Sequence, residues 1–261
     1  MKLRLSILSY LFCLIASAQT TPINPKVYNW DNSLSTITKT AVTNKIIKKN
    51  IFTGSGAVLA QHEINGIVIP KGKSIAYKAD INGDELFFII KNGPVTVNLN
   101  NQTYSINRGS VVVVLPGNKI SIKNTSDKEA ELYEMKYRSI ETPNPKRGKK
   151  GGASFVMNWN DMVFKPHDKG GVRQLFDRQT TMLNRFDIHV TQLNVGFKSH
   201  EPHTHKNEEI ILMLDGNAEM QIGTDHQKAN GGDVVFLTSM IPHNLTNIGN
   251  TSCLYFAIQW N

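Results

Sequence analysis

The stretch His200–Gly216 reads HEPHTHKNEEIILMLDG and carries the strongest chemical signal in the chain. Within it, His203 and His205 are two residues apart, and Glu209 follows four residues after His205. Residues two apart on a β-strand share one face, so a strand with a short break can direct both imidazoles and the carboxylate into one space. The spacing therefore predicts a cluster of ligand side chains built on strands.

A second stretch, Gly232–Asn247, reads GDVVFLTSMIPHNLTN and supplies His243, with Asn247 four residues later. A neighbouring strand that carries His243 would complete a set of three imidazoles and one carboxylate. Nitrogen and oxygen ligands of this kind suit a divalent first-row metal such as Mn, Fe, Ni, Co or Zn. Such a site keeps a position open for water or substrate. The competing interpretation is an exposed His/Glu loop beside an ordinary strand.

These two stretches resemble the paired motifs of the cupin superfamily, G-x5-H-x-H-x3,4-E-x6-G and G-x5-P-x-G-x2-H-x3-N. In the second motif, Gly232, His243 and Asn247 are in register, whereas Thr238 replaces the proline and Met240 replaces the glycine. The resemblance implies a double-stranded β-helix barrel with the metal near its interior. It also implies that His203, His205, Glu209 and His243 are the metal ligands.

The first half of the chain repeats the second at a constant offset of 123 residues, so that RGSVVVVLPGNKISIKN parallels GGDVVFLTSMIPHNLTN. Short apolar runs separated by Gly, Asn, Asp and Pro turns occur in both halves and favour an all-β sandwich or barrel. The repeat predicts two tandem cupin barrels. The ligand positions of the first copy hold Asp80, Asn82, Leu86 and Ile120, so we expect a degenerate barrel without a metal site, which supports the second.

The chain divides into four predicted segments. Residues 1–18 have a basic start, an apolar run and Ala16-Ser17-Ala18, which is typical of a signal peptide cut after Ala18. Residues 19–141 would form the N-terminal barrel. The segment Thr142–Gly152, TPNPKRGKKGG, has the composition of a linker. Residues 153–261 would form the C-terminal, metal-binding barrel.

These segments predict an exported protein, either periplasmic or secreted, with no membrane span in the mature chain. Cleavage would remove Cys13 and leave Cys253, so no internal disulfide is expected, and Cys253 is predicted to be a small buried apolar residue. The net charge is +8, and part of the positive charge lies in two basic clusters without interleaved aromatic residues, which argues against a nucleic-acid partner. A homodimer is what the cupin resemblance implies.

Substrate-facing residues are expected on the strands next to the ligands. In Phe186–Leu193, FDIHVTQL, either His189 and Thr191 or Gln192 faces inward. His189 is then a general acid or base, or alternatively a core histidine with its partners satisfied.

Other candidates for substrate contact come from parity and chemistry. Met213 shares the parity of Glu209 and would form an apolar wall, whereas Gln221 and Gln259 would be inward amides. Arg173, if it reaches the barrel mouth, would hold a substrate carboxylate.

An empty N-terminal cupin followed by a metal-bearing one is similar in architecture to the ureidoglycine aminohydrolases, manganese bicupins that release ammonia from a small ureido acid. Their ligand set is Glu, His, His and Gln, which differs from the set here. Three His and one Glu resemble the oxalate decarboxylases and the quercetinase-like dioxygenases. The resemblance implies one divalent metal, Mn first, with Fe, Zn or Ni as alternatives.

We therefore predict an exported enzyme that uses the metal as a Lewis acid on a small carboxylate, ureido or sugar-like substrate. An iron-dependent dioxygenase and a non-catalytic metal-dependent binding protein stay open as alternatives, because a fold does not fix an activity.

Overall fold

A computed structural model describes residues 21–30, 45–78 and 83–261. The predicted signal peptide at 1–18 and the ligand-equivalent positions Asp80 and Asn82 lie outside the described residues. Within the described part of the chain, no helix has the length and apolar character needed to cross a membrane.

Strands make up nearly all of the regular structure, which confirms the all-β prediction. The first ten are β1 Lys26–Tyr28, β2 Ile47–Gly54, β3 Leu59–Ile69, β4 Ser74–Lys78, β5 Glu85–Asn92, β6 Val95–Leu99, β7 Gln102–Ile106, β8 Val111–Val114, β9 Lys119–Asn124 and β10 Ala130–Ser139. After helix α1, Pro145–Lys150, come β11 Phe155–Met157, the 3-10 helix Trp159–Asp161, β12 Lys165–His167, β13 Gly170–Arg178, β14 Phe186–Leu193, β15 Glu208–Asp215, β16 Asn217–Ile222, β17 Asp225–Asn230, β18 Val234–Leu237, β19 His243–Asn247 and β20 Cys253–Trp260.

Each half of the molecule is a barrel made of two antiparallel sheets. The N-terminal barrel joins the sheet β11-β8-β5-β10-β3-β2 to the sheet β4-β9-β6-β7. The C-terminal barrel joins β1-β18-β15-β20-β14-β13-β12 to β17-β16-β19. Alternation of apolar and polar residues sets the inward face, as in β6, where Val95, Val97 and Leu99 are buried and the residues between them are half-buried.

The predicted boundary at Thr142–Gly152 does not divide the sheets cleanly, because one short strand from each side of it pairs with a sheet of the other barrel. Strand β1 pairs with β18 of the C-terminal barrel, and β11 pairs with β8 of the N-terminal barrel. The predicted linker itself contains helix α1. Whether the two halves fold as separate domains stays a prediction.

Three apolar clusters fill the molecule. One lies inside the N-terminal barrel, a second inside the C-terminal barrel, and the largest spans the seam between them. Cys253 belongs to the second cluster and is buried as predicted, and burial raises the pKa of its thiol to about 11. The shared cluster means that the barrels stabilise each other through buried apolar surface.

Candidate metal centre

The two sequence motifs meet through their backbones. His203 and His243 form an antiparallel bridge, with N···O distances of 3.3 Å and 3.1 Å between their backbone groups. Glu209 is the second residue of β15 and faces the barrel interior together with Ile211. The chain therefore brings the predicted ligands from β19, from β15 and from the segment before β15 to one place.

Their donor atoms converge. One ring nitrogen from each of His203, His205 and His243 lies within 4.8 Å of the other two. The Oε2 atom of Glu209 is 3.2 Å from Nε2 of His205 and 3.2 Å from Nε2 of His243. Two ligands bound at about 2.0–2.2 Å to a common metal are themselves about 3 Å apart. The spacing fits a shared divalent ion.

Two of the imidazoles are oriented so that their Nε2 atoms face this point. Nδ1 of His205 lies 2.8 Å from the carbonyl oxygen of Asn207, and Nδ1 of His243 lies 2.8 Å from that of Ile241. A carbonyl can only accept, so each Nδ1 carries a proton, and Nε2 is the atom of each ring that would bind a metal, as in known metal sites. Nε2 of His243 is buried and makes no hydrogen bond, which a metal would remedy.

The third imidazole is oriented by a side chain. Nδ1 of His203 lies 3.0 Å from Nδ1 of His200, and the two rings meet edge to face with centroids 4.1 Å apart. Burial, together with the nearby positive charge of His200, His243 and His205 when protonated, lowers the pKa of His203. A lowered pKa favours the neutral imidazole that binds a metal.

Glu209 is held as an anion. Burial by itself would raise the pKa of its carboxyl, but the hydrogen bond with His205 and the adjacent imidazole of His243 outweigh that effect and lower it to about 2. Its other oxygen, Oε1, accepts a hydrogen bond from Nε2 of Gln259 at 3.3 Å. Gln259, predicted as an inward amide, thus positions the carboxylate.

The turn in which Met240 replaces the glycine of the motif keeps the backbone conformation that glycine favours. Met240 adopts a φ of 63°, in the left-handed region that glycine favours. Its backbone N–H donates to the carbonyl oxygen of His205 at 2.8 Å. The departure from the motif therefore leaves the turn beside the ligands intact.

A cavity of about 310 Å³ opens onto His203, Glu209 and His243. His189 lines it, as one of the two predicted orientations of β14 requires, together with Thr191. Burial lowers the pKa of His189, and within the described residues no group hydrogen-bonds to its ring. His189 is therefore a neutral imidazole with free ring nitrogens beside the ligands.

The other predicted substrate residues lie elsewhere. Gln192 has the opposite parity to Thr191 and does not line the cavity. Gln221 donates to the carbonyl of Gly223 at 3.1 Å, and its neighbour Met220 faces the cavity instead. Met213 has the inward parity but is fully buried in the barrel core and is not part of the cavity wall.

Arg173 also stays outside the cavity. Its guanidinium carbon lies 4.4 Å from the ring centroid of Trp159 and 4.6 Å from that of Phe164. Its neighbour Val172 is the residue of β13 that lines the wall. Stacking between two aromatic rings, which suits a guanidinium, places Arg173 away from any substrate.

Tyr255, Ser199 and Asn244 line the cavity but are not among the residues predicted from the sequence. Tyr255 and Ala257 share the parity of Gln259 in β20, so the parity that indicated Gln259 would also have found them. The hydroxyl of Tyr255 hydrogen-bonds to the side chains of Thr191 and Ser199. Ser199 lies in the segment before β15 and Asn244 follows His243, and neither has a comparable signal.

Fold and site together define a protein of two β-barrels with a candidate metal centre in the second. Residues 189–259 match the family model described as a cupin domain. No curated protein sequence matches the chain at a significant level.

Solved structures show the same fold at low sequence identity. A cupin 2 conserved barrel domain protein from Leptotrichia buccalis is 15% identical, with a TM-score of 0.61 over 93% of this chain and 100% of that one. Oxalate decarboxylase from Lactobacillus farciminis is 12% identical, with a TM-score of 0.67 over 92% and 87%. Salicylate 1,2-dioxygenase from Pseudoaminobacter salicylatoxidans is 12% identical, with a TM-score of 0.62 over 90% and 82%. The chain thus contains a cupin domain over residues 189–259, and it shares its two-barrel fold with these structures over most of its length.

Proposed function

We propose that the protein is a metal-dependent cupin enzyme that acts on a small polar substrate. One divalent ion would be held by His203, His205, Glu209 and His243. The observation that carries the proposal is the buried, unpartnered Nε2 of His243, which lies 3.2 Å from Glu209 at the floor of a cavity. A carboxylate and three oriented imidazoles around an open space suit catalysis better than a closed structural site.

When bound, the metal supplies Lewis acidity towards an oxygen atom of the substrate. His189 would accept or donate the proton that the reaction moves, since its ring is neutral and faces the same cavity. Gln259 holds Glu209 in place, and the hydroxyls of Tyr255 and Thr191 offer hydrogen bonds to a polar substrate. The apolar part of the wall limits the access of water.

Metal content tests the first part of the proposal. Elemental mass spectrometry should find about one equivalent of metal per chain, the number that four ligands around one point imply. Mn is the expected metal, with Fe, Zn or Ni as alternatives. A His203→Ala/His205→Ala variant should lose it, whereas His226→Ala should keep it, because His226 is exposed and bonds to Glu219. Absence of metal from the wild type after growth with metals would overturn the proposal.

Turnover tests the second part. The loaded protein should convert a member of a panel of small carboxylates, ureido acids and sugar acids, and His189→Gln should lower kcat by about 10²–10⁴-fold with unchanged metal content. Consumption of O2 would identify a dioxygenase. Ligand binding without conversion by the loaded protein would instead establish a metal-dependent binding protein.

We also propose export, on the basis of the first 18 residues. An intact-mass measurement of protein from the culture medium or periplasm should show a chain that begins at Gln19. A full-length chain retained in the cytoplasm would contradict this part without affecting the metal site.

A further inference from the structure

The cavity beside the metal centre carries little charge of its own. Of its lining side chains in the described part of the molecule, the one carboxylate is Glu209 and none is Lys or Arg. The ammonium of Lys169 donates to the backbone carbonyl of Ser199, a lining residue, at 3.3 Å, but Lys169 itself does not line the wall. The remaining polar lining groups are imidazoles, hydroxyls and amides, which, unlike the side chains of Lys and Arg, carry no permanent charge.

This composition fixes the charge that a ligand must bring. An imidazole binds a metal through the lone pair of an uncharged ring, so His203, His205 and His243 would add no charge to a bound dication. Glu209 cancels one of its two positive charges. A monoanionic ligand therefore makes the site neutral, whereas a dianion leaves one negative charge against the wall with no cation beside it.

Part of the cavity wall is aliphatic. Val172 pairs across β13 and β14 with Thr191, and Met220 pairs across β16 and β19 with Leu245. These three aliphatic residues line the cavity together with Leu193. At about 30 Å³ per water molecule, 310 Å³ holds roughly ten waters or a ligand of similar size. A branched aliphatic substituent would cover this wall, and a carboxylate would not.

We propose that the cavity selects a small monoanionic oxygen chelate with an uncharged aliphatic substituent, such as a branched 2-hydroxy acid, and rejects dianions. The inference rests on the proposed metal site and names its substrate class. The inference predicts a different substrate class from that of a protein with the same fold whose substrate carries two carboxylates.

Two probes of matched shape test it. In 2-hydroxy-3-methylbutanoate and hydroxymalonate the same chelating head carries either an isopropyl group or a carboxylate. We would load the complete mature chain with zinc, which has no redox chemistry, and measure the binding of each probe by calorimetry. In water the dianion is the stronger partner of a free dication. The protein should reverse this order and bind 2-hydroxy-3-methylbutanoate at least about tenfold more tightly.

A charge placed on the wall should change the preference. Val172 is half-buried, so a lysine there can extend along the cavity. Val172→Lys should raise the affinity for hydroxymalonate by about tenfold or more, because the ammonium balances the second carboxylate. Val172→Met, which has a long uncharged side chain, should leave that affinity unchanged. These two variants differ in charge more than in bulk.

Each outcome bears on a different claim. Tighter or equal binding of hydroxymalonate by the zinc-loaded wild type, or no binding of 2-hydroxy-3-methylbutanoate to it, would overturn the inference and leave the metal site standing. A loss of hydroxymalonate binding in Lys169→Met would show that this rim lysine supplies the missing charge, which also overturns it. Failure of the wild type to take up zinc would remove the proposed function, and the inference with it.

Discussion

The two barrels share one plan of strands and differ in what faces their interiors. In the N-terminal barrel, the row across β3, β10 and β5 consists of Asn65, Glu134 and Phe88. The corresponding row across β14, β20 and β15 consists of His189, Ala257 and Ile211. One barrel thus places a buried carboxylate where the other has a small residue beside the cavity. The same scaffold accepts two quite different interiors.

The ligand positions show the same contrast. Leu86 and Ile120 occupy the places of Glu209 and His243, and both belong to the apolar cluster of the N-terminal barrel. In the described part of this barrel, Glu134 is buried with the ammonium of Lys48, the amide of Asn65 at 2.8 Å and the hydroxyl of Tyr77. A fixed network of ions and hydrogen bonds thus lies inside this barrel, whereas the C-terminal barrel has the candidate metal centre.

Removing the metal should produce the largest difference in stability between the two barrels. A site occupied at a thousand times its Kd stabilises the folded state by about 4 kcal/mol, and chelation should remove that amount. Hydrogen exchange should then rise in β15 and β19 but not in β6 and β9. The His203→Ala/His205→Ala variant provides the control and should not respond to chelator. Equal loosening of both barrels would show that the metal supports the whole molecule.

A pair of asparagines tests what the barrels have in common. The side chains of Asn124 and Asn247 are buried at equivalent positions, and each donates to two backbone carbonyls and accepts from one backbone N–H. The carbonyls belong to Ile69 and Lys128 in the first barrel and to Leu193 and Thr251 in the second.

At about 1 kcal/mol for each hydrogen bond, Asn124→Ala and Asn247→Ala should each lower the free energy of unfolding by about 3 kcal/mol. The two losses should be close, because three bonds are shared, and Asn124→Ala should cost slightly more, because Oδ1 of Asn124 also accepts from the hydroxyl of Ser126 at 2.8 Å. Urea denaturation of both variants, in the apo form, measures them. A much larger loss in one barrel would mean that the asparagines differ in role despite the three contacts that they share.

The ionic network of the N-terminal barrel should be sensitive to loss of its cation. Lys48→Met leaves Glu134 fully buried without its ammonium partner and should cost about 2 kcal/mol, below the range for a fully buried pair because Lys48 is 41% exposed. Lys71→Met is the matched control, since the pair of Lys71 and Asp127 is exposed and should contribute almost nothing. Equal costs from denaturant unfolding would contradict this view of the network.

The local motifs made much of this arrangement predictable. His203, His205 and Glu209 lie within seven residues, so strand parity alone predicted that they share a site. The 123-residue repeat predicted the second barrel. The structure brings these side chains together with His243, and the two-barrel cupin prediction is confirmed. Local sequence works here because strands fix which neighbours share a face.

Pairing over long distances was not predictable in this way. Strand β1 has three residues and pairs with Val234–Phe236, some two hundred positions away, and no local pattern announces the exchange. Arg173 was predicted to hold a substrate carboxylate if it reached the mouth, but it stacks on the rings of Trp159 and Phe164 outside the cavity. The pairing register between Gln174 and Phe176 shifts, which parity counting cannot anticipate.

The seam between the barrels contributes a pH dependence of its own. His62 is fully buried against Phe52, Phe236 and Trp260, and neither ring nitrogen has a partner. Burial lowers its pKa from 6.5 to about 3. The unfolded chain therefore binds more protons between these values, and stability is lost as the pH falls through 6.5 towards 3.

Between about pH 7 and pH 5.5, the shifted pKa of His62 should lower the free energy of unfolding by about 1 kcal/mol. His62→Leu should remove it, so the difference between wild type and variant measures His62 alone. The subtraction matters because Glu85 acts in the opposite direction. Burial raises the pKa of Glu85 from 4.5 to about 7, against hydrogen bonds from Tyr137 and Thr180, so its contribution is lost as the pH rises through that range. A pH-independent difference would show that His62 binds protons equally in the folded and unfolded states, and therefore that burial does not lower its pKa.

The smallest expected effect concerns one turn that the barrels build with different residues. Gly117 in the N-terminal barrel has a φ of 84°, and Met240, at the equivalent position, has a φ of 63°. A left-handed conformation costs an ordinary residue about 1–2 kcal/mol, whereas glycine lowers stability by about 0.5–1 kcal/mol through the entropy of the unfolded chain. Met240→Gly should therefore stabilise by about 0.5 kcal/mol, and Gly117→Met should destabilise by a similar amount. Thermal unfolding of apo protein measures both changes. If Met240→Gly instead destabilised the protein and weakened metal uptake, the methionine would be holding the turn that bonds His205, and this departure from the motif would serve the site.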